Sequence, residues 1–122
     1  MGDLSENFDR KELACKCGCG KDDVDPDLVF RLQRLRTLYG KPIHINSGVR
    51  CAKYNAEVGG VDGSAHVEGL AADITCETSG ERFALLSLIL YYALFVRVGV
   101  GKRFIHLDID GTKPGNVVWL YS

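Results

Sequence analysis

The chain of 122 residues carries 15 Lys and Arg against 16 Asp and Glu, and 46% of its residues are hydrophobic. That length predicts one domain, residues 1–122, burying about two-thirds of its unfolded surface, and the apolar content excludes intrinsic disorder. A near-neutral balance, with a sequence pI near 6.3, lacks the basic surplus of a dedicated nucleic-acid binder, so no nucleic acid is expected as a partner.

Ser5 to Ala14 predicts a short amphipathic helix, with Phe8, Leu13 and Ala14 apolar among Glu6, Asp9, Arg10 and Glu12, and Ser5 or Asn7 as its N-cap. Cys15 to Asp25, rich in Gly, Asp and Cys, predicts a loop. Asp25-Pro26 is a helix start, an acidic cap followed by Pro at the first helical position. Leu28, Phe30, Leu32, Leu35 and Leu38 keep near-helical spacing from there, and Gly40 with Pro42 stops the helix. Ile43 to Asn46 alternates as a short strand, Cys51 to Val58 predicts a brief helix closed by Gly59-Gly60, and Val61 to Gly69 predicts a polar loop. Leu70 to Thr75 predicts a strand with Ala71, Asp73 and Thr75 on one face. Ser79 is the expected cap of an apolar helix from Gly80 to Leu94. Arg97 to Val100 and Phe104 to Ile109 read as strands joined through Gly101-Lys102-Arg103, and a turn from Asp110 to Asn116 leads to a last strand, Val117 to Tyr121. Early helices followed by hairpin-linked strands predict an α+β fold, a small mostly antiparallel sheet with flanking helices.

The longest apolar run, Phe83 to Val96, is 14 residues. That is short of the about 20 needed to span a bilayer, so it predicts a buried core helix and no membrane partner. Met1 to Glu6 has neither the basic nor the apolar stretch of an export signal, so the chain is expected to be cytoplasmic as synthesised. Of the five cysteines, Cys15, Cys17 and Cys19 form a C-x-C-x-C run, while Cys51 and Cys76 stand apart. Three readings stay open: buried or loosely paired structural thiols, a disulfide framework, or a second, structural metal site.

Three histidines occur, His44, His66 and His106. His66 lies in Gly63-Ser64-Ala65-His66-Val67-Glu68-Gly69-Leu70-Ala71-Ala72-Asp73, and His106 in Phe104-Ile105-His106-Leu107-Asp108. A catalytic zinc ion takes three protein ligands, commonly His nitrogens and a carboxylate oxygen, and keeps its fourth position open. His66 from a loop, Asp73 from one strand face and His106 from a second strand are able to supply that set; the chain has no helical His-Glu-x-x-His. The competing reading is satisfied polar residues at a sheet edge. His44 is not expected to be a ligand.

Taken in order, Ser47-Gly48-Val49-Arg50, Gly59-Gly60, Ser64-x-His66-x-x-Gly69-x-Ala71-Ala72-Asp73 and Phe104-Ile105-His106-Leu107-Asp108 resemble a known signature. It is that of the zinc D-alanyl-D-alanine carboxypeptidase family of peptidoglycan peptidases. That family includes the L-alanyl-D-glutamate endopeptidases of phage endolysins, and its fold is shared with the Hedgehog signalling domain. The resemblance runs from about Asn7 to Tyr121; the Cys15 to Gly20 run and the closing Val118-Trp119-Leu120-Tyr121 are similar to a compact branch common in phages and prophages.

The resemblance implies Zn²⁺ held by His66, Asp73 and His106, and a substrate contact at Arg50, whose guanidinium suits a peptide carboxylate or carbonyl. It implies Ser64 as a substrate hydrogen-bonder, with loop ordering as its other role. The implied activity is hydrolysis of a peptide bond in the peptidoglycan stem peptide, by carboxypeptidase or endopeptidase action, on a wall reached after release from the cell. A monomer is expected. The alternative is a non-catalytic zinc-containing binding module, as in Hedgehog, or a phage structural component with the same fold. Many relatives carry Glu three residues before the second His, or His two before it, where this chain has Arg103 and Phe104. The nearest carboxylate, Asp108, shares a strand face with His106 and is the expected general base. Orienting His106 is its other reading, and Glu68 is a less favoured substitute.

Overall fold

The structure is a computed structural model that describes residues 2–121. Its elements are α1 (Arg10–Leu13), α2 (Pro26–Tyr39), β1 (Ile45–Ser47), α3 (Ala52–Glu57), β2 (Ala71–Thr75), α4 (Ser79–Tyr91), β3 (Arg97–Val100), β4 (Phe104–Asp108) and β5 (Val117–Leu120). The strands form a single sheet in the order β1-β2-β4-β3-β5, antiparallel except for the β3–β5 pair. The α+β class and the mostly antiparallel sheet are those expected.

The long helix α2 follows its local signals. The Asp25 carboxylate accepts the Asp27 N–H at 2.8 Å, Pro26 opens the first turn, and Gly40 ends the helix in the left-handed region at φ 73°. Its buried stripe is Leu28, Val29, Leu32 and Leu35; Phe30 and Leu38, expected at the same spacing, are exposed. The N-terminal helix is much shorter than expected. Ser5 and Asn7 cannot cap it because α2 takes their polar groups: Ser5 Oγ donates to Gln33 Oε1 at 2.7 Å, and Gln33 Nε2 donates to Asn7 Oδ1 at 2.7 Å. Asp9 becomes the cap instead, its N–H donating to Glu12 at 2.6 Å.

The cap of α4 is Thr78, one residue before the expected Ser79. Its hydroxyl accepts the Glu81 N–H at 3.1 Å, and its own N–H donates back to Glu81. The apolar run is not a fully buried core helix. Leu85 and Ile89 are buried against the sheet and α2, whereas Phe83 and Tyr91 are 76% and 82% exposed. No helix among the described residues is long and apolar enough to cross a membrane.

Strand alternation splits the sheet into two faces. Ala72, Ile74, Ile105, Leu107 and Val98 join Leu28, Leu32, Leu35, Leu85 and Ile89 in the core beneath the helices. Asp73, His106 and Asp108 therefore emerge on the opposite face. The last strand departs from the hairpin expectation: after β4 the chain passes β3, and β5 lies parallel to β3 on its outer edge. This lays Trp119 and Tyr121 over Gly99, where a Cβ would come within 2.5 Å of Tyr121 and 2.6 Å of Trp119. Gly99 is thus the gap into which these two aromatic rings fit.

Candidate metal centre and active-site cleft

Asp73 on β2 and His106 on β4 are direct cross-strand partners, so their side chains leave the same face side by side. His66 comes from the loop before β2. Ser64 Oγ accepts the His66 N–H at 3.2 Å, and the His66 carbonyl accepts the Arg50 N–H at 3.0 Å, which ties this loop to the segment after β1. The three side chains converge. His66 Nε2 lies 3.2 Å and His106 Nδ1 2.8 Å from the same Asp73 oxygen, Oδ1, and all three residues are buried. Together they form a set able to hold a metal ion.

The remaining ring nitrogens decide what the centre can hold. The Gly48 carbonyl stands 2.7 Å from His66 Nδ1 and can only accept, so the proton of a neutral ring resides there and Nε2 is bare. His106 has a carboxylate at each nitrogen, Asp108 at 2.7 Å from Nε2 and Asp73 at 2.8 Å from Nδ1; with its ring proton on Nε2, Nδ1 is bare. Two bare nitrogens and a carboxylate oxygen then point at one another, which is repulsive unless a cation or an added proton lies among them. Donors about 2.0–2.1 Å from a tetrahedral Zn²⁺ stand about 3.3 Å apart, close to the 2.8 and 3.2 Å spacings here. Anchoring each ligand His through its other nitrogen is also the usual arrangement at metal sites. The residues fit the ion.

Without the ion, protons balance the same charge. Burial alone would raise the Asp73 pKa, but hydrogen bonds from His106 and His66 hold it well below the ordinary carboxylate range. Burial would lower His106, yet the Asp108 and Asp73 carboxylates on its two nitrogens raise it above its ordinary value.

Asp108 sits on the far side of the His106 ring from Asp73. Its Oδ2 faces His106 Nε2, while Oδ1 accepts Arg97 Nε–H at 2.7 Å and the Asp110 N–H at 3.1 Å, and the residue is only 1% exposed. Burial would raise its pKa, but the His106 hydrogen bond and the other donors keep it low. The carboxylate faces the remote nitrogen of His106, and the residue also lines the cleft above the three side chains. Glu68 is exposed and borders a separate depression with Ala52 and Asn55, so it does not face the centre. Phe104 lines the cleft, its ring 5.0 Å from that of Tyr121.

A cleft of about 520 Å³ opens over the centre, walled by Arg50, Arg97, Lys113, Phe104, Trp119 and Tyr121 among others. Arg50 donates from Nε to Ser47 Oγ at 3.1 Å, from Nη1 to Asn55 Oδ1 at 3.1 Å and from Nη2 to Asp73 Oδ2 at 3.4 Å. Ser64 lines the same cleft. Asn55, Arg97, Lys113, Trp119 and Tyr121 had not been expected at the site from the sequence. Arg97 faces Asp108 across the β3–β4 pair and lies 5.0 Å from the Trp119 ring. Lys113 bridges the Gly63 carbonyl at 2.7 Å and Asp110 at 3.0 Å, joining the loop after β4 to the one bearing His66. Only a known strand register exposes the Arg97–Asp108 pairing.

The family model described as Peptidase M15 matches residues 6–108, and the chain belongs to this family of zinc metallopeptidases. Comparison with the curated proteins found no match. The enzyme is therefore a metallopeptidase whose buried His66, Asp73 and His106 form a candidate metal-binding set.

Proposed function

We propose that the protein hydrolyses a peptide bond in the stem peptide of bacterial peptidoglycan, with Zn²⁺ held by His66 Nε2, Asp73 Oδ1 and His106 Nδ1. The observation that carries the reading is the convergence of two imidazole nitrogens, each ring held through its other nitrogen, on one buried carboxylate oxygen beneath an open cleft. A zinc ion in such a set supplies Lewis acidity toward a peptide carbonyl and acidifies water.

Around that centre the chain positions and recognises. Arg50 is held by Ser47, Asn55 and Asp73 with its guanidinium on the cleft wall, pre-organised for a carboxylate or carbonyl of the substrate. Arg97 and Lys113 line the same wall, each ion-paired with a carboxylate, Asp108 and Asp110. Ser64 orders the loop by accepting the His66 N–H. Asp108 acts through His106, fixing its tautomer so that Nδ1 faces Asp73, and Arg97 fixes Asp108 in turn.

The test is digestion of purified peptidoglycan by zinc-loaded protein, with new termini identified by mass spectrometry and a chelator control. Loss of a terminal D-Ala, or a new amino terminus on D-Glu, would name the bond. Intact stem peptides after prolonged incubation would leave the fold with a binding role only.

A further inference from the structure

Away from the cleft, the sulfur atoms of Cys15, Cys17, Cys19 and Cys51 all lie within 4.8 Å of one another. Cys15 and Cys17 are 3.4 Å apart, and Cys17 and Cys51 3.7 Å. Tetrahedral Zn²⁺ with metal–sulfur distances of about 2.3 Å places its sulfurs about 3.8 Å from one another. A disulfide requires contact at about 2.05 Å, and joins sulfurs in pairs without drawing a third and fourth toward them.

The backbone is shaped for this convergence. Gly18 and Gly20 have φ of 84° and 90°, a left-handed region that side-chain-bearing residues rarely occupy. They curl the C-x-C-x-C run so that its three cysteines face inward rather than alternate. The fourth sulfur arrives from the start of α3. Backbone N–H groups donate to two of the sulfurs, Cys51 N–H to Cys15 Sγ and Tyr54 N–H to Cys51 Sγ, each at 3.4 Å. Such bonds favour thiolates, the form that binds metal.

We propose that Cys15, Cys17, Cys19 and Cys51 form a second zinc centre, a closed tetrathiolate with a structural role. Binding releases the thiol protons to solvent and leaves no open coordination position. Cys76, the remaining cysteine, is buried near the Thr78 carbonyl and takes no part. The consequence for the cleft is positional. Cys51 follows Arg50 directly, and the Val49 N–H already donates to the Leu13 carbonyl at 2.8 Å. A metal joining Cys51 to the loop after α1 therefore clamps the Gly48 to Cys51 segment. That segment carries both Arg50 and the Gly48 carbonyl that orients His66.

The test begins with the full chain purified under reducing conditions, with zinc counted by elemental analysis. Two ions per chain are expected, falling to one in Cys17→Ser/Cys19→Ser, whose altered residues are exposed, and to one in His66→Ala. A check that does not depend on the folding of a cysteine variant is Co²⁺ loading of His66→Ala, which should show the intense charge-transfer and visible bands of a tetrathiolate. In the native protein Cys17 and Cys19, although exposed, should resist a thiol reagent until metal is stripped. A zinc content unchanged by Cys17→Ser/Cys19→Ser, absence of the Co²⁺ thiolate bands, or disulfides among the four cysteines would overturn the proposal. These readouts are independent of peptidase activity.

Discussion

Replacing Asp108 by Asn tests whether this residue orients His106 or takes a proton from water. Asn is nearly isosteric but has one acceptor oxygen and one donor amide. Three donors face the wild-type carboxylate, His106 Nε2–H at 2.7 Å, Arg97 Nε–H at 2.7 Å and the Asp110 N–H at 3.1 Å. If the amide turns toward Arg97, two donors oppose each other and a charge-assisted hydrogen bond of about 1.5–3 kcal/mol is lost. If it turns toward His106, Nε2 must accept, the ring proton moves to Nδ1, and the nitrogen facing Asp73 can no longer bind metal. Both outcomes weaken the centre. Zinc affinity at His66, Asp73 and His106 should fall by about 10–100-fold, the usual cost of removing a partner that orients a ligand. Competition with a fluorescent zinc chelator measures this, with turnover assayed separately at saturating zinc, where much of the activity should return. Unchanged zinc affinity together with a loss of turnover of about 10²–10⁴-fold, as expected for a lost proton acceptor, would refute the orienting role.

Arg50→Lys should retain zinc while lowering kcat/KM by about 10–100-fold, because a point charge cannot reproduce a guanidinium fork; wild-type kinetics on stem peptide would remove Arg50 from the substrate site. The pH dependence has two signs. In metal-free protein the raised His106 pKa contributes stability that is full below its ordinary value and lost as pH rises through the folded value, whereas the lowered Asp73 pKa contributes stability above its ordinary value that is lost as pH falls through the folded one. Zinc competes with the His106 proton, so the Tm increment on adding zinc should grow with pH from acid to neutral; a flat increment would contradict the ligand assignment. Gly99→Ala would put a Cβ within 2.5 Å of Tyr121 and 2.6 Å of Trp119. It should cost about 1–3 kcal/mol by urea unfolding, from overpacking at the β3–β5 seam, and an unchanged midpoint would show that the rings shift freely.

Much of the fold follows from interactions that stay within a turn or a strand of their own residue. Asp25-Pro26 and Gly40 bound α2 because caps act on the backbone beside them. Two-residue alternation on β2 and β4 suffices to put Asp73 and His106 each on one face, and Asp108 on the face of His106. His66, Asp73 and His106 were therefore legible as a candidate set, without the register that makes Asp73 and His106 neighbours. What lies beyond local reach was decided by packing. Gln33 takes the polar groups of Ser5 and Asn7 and so shortens α1, a competition no local window contains. Half of the apolar run in α4 is exposed because one face meets the sheet and α2 while the other has no covering element among the described residues. The parallel placement of β5 brings Trp119 and Tyr121 over the cleft, and the pairing of β3 with β4 sets Arg97 against Asp108. Residue type specified which atoms are able to bind a metal or hold a charge; only the closing of distant chain segments brought His66 Nε2, Asp73 Oδ1 and His106 Nδ1 to one point, and that convergence separates scattered polar residues from a candidate metal centre.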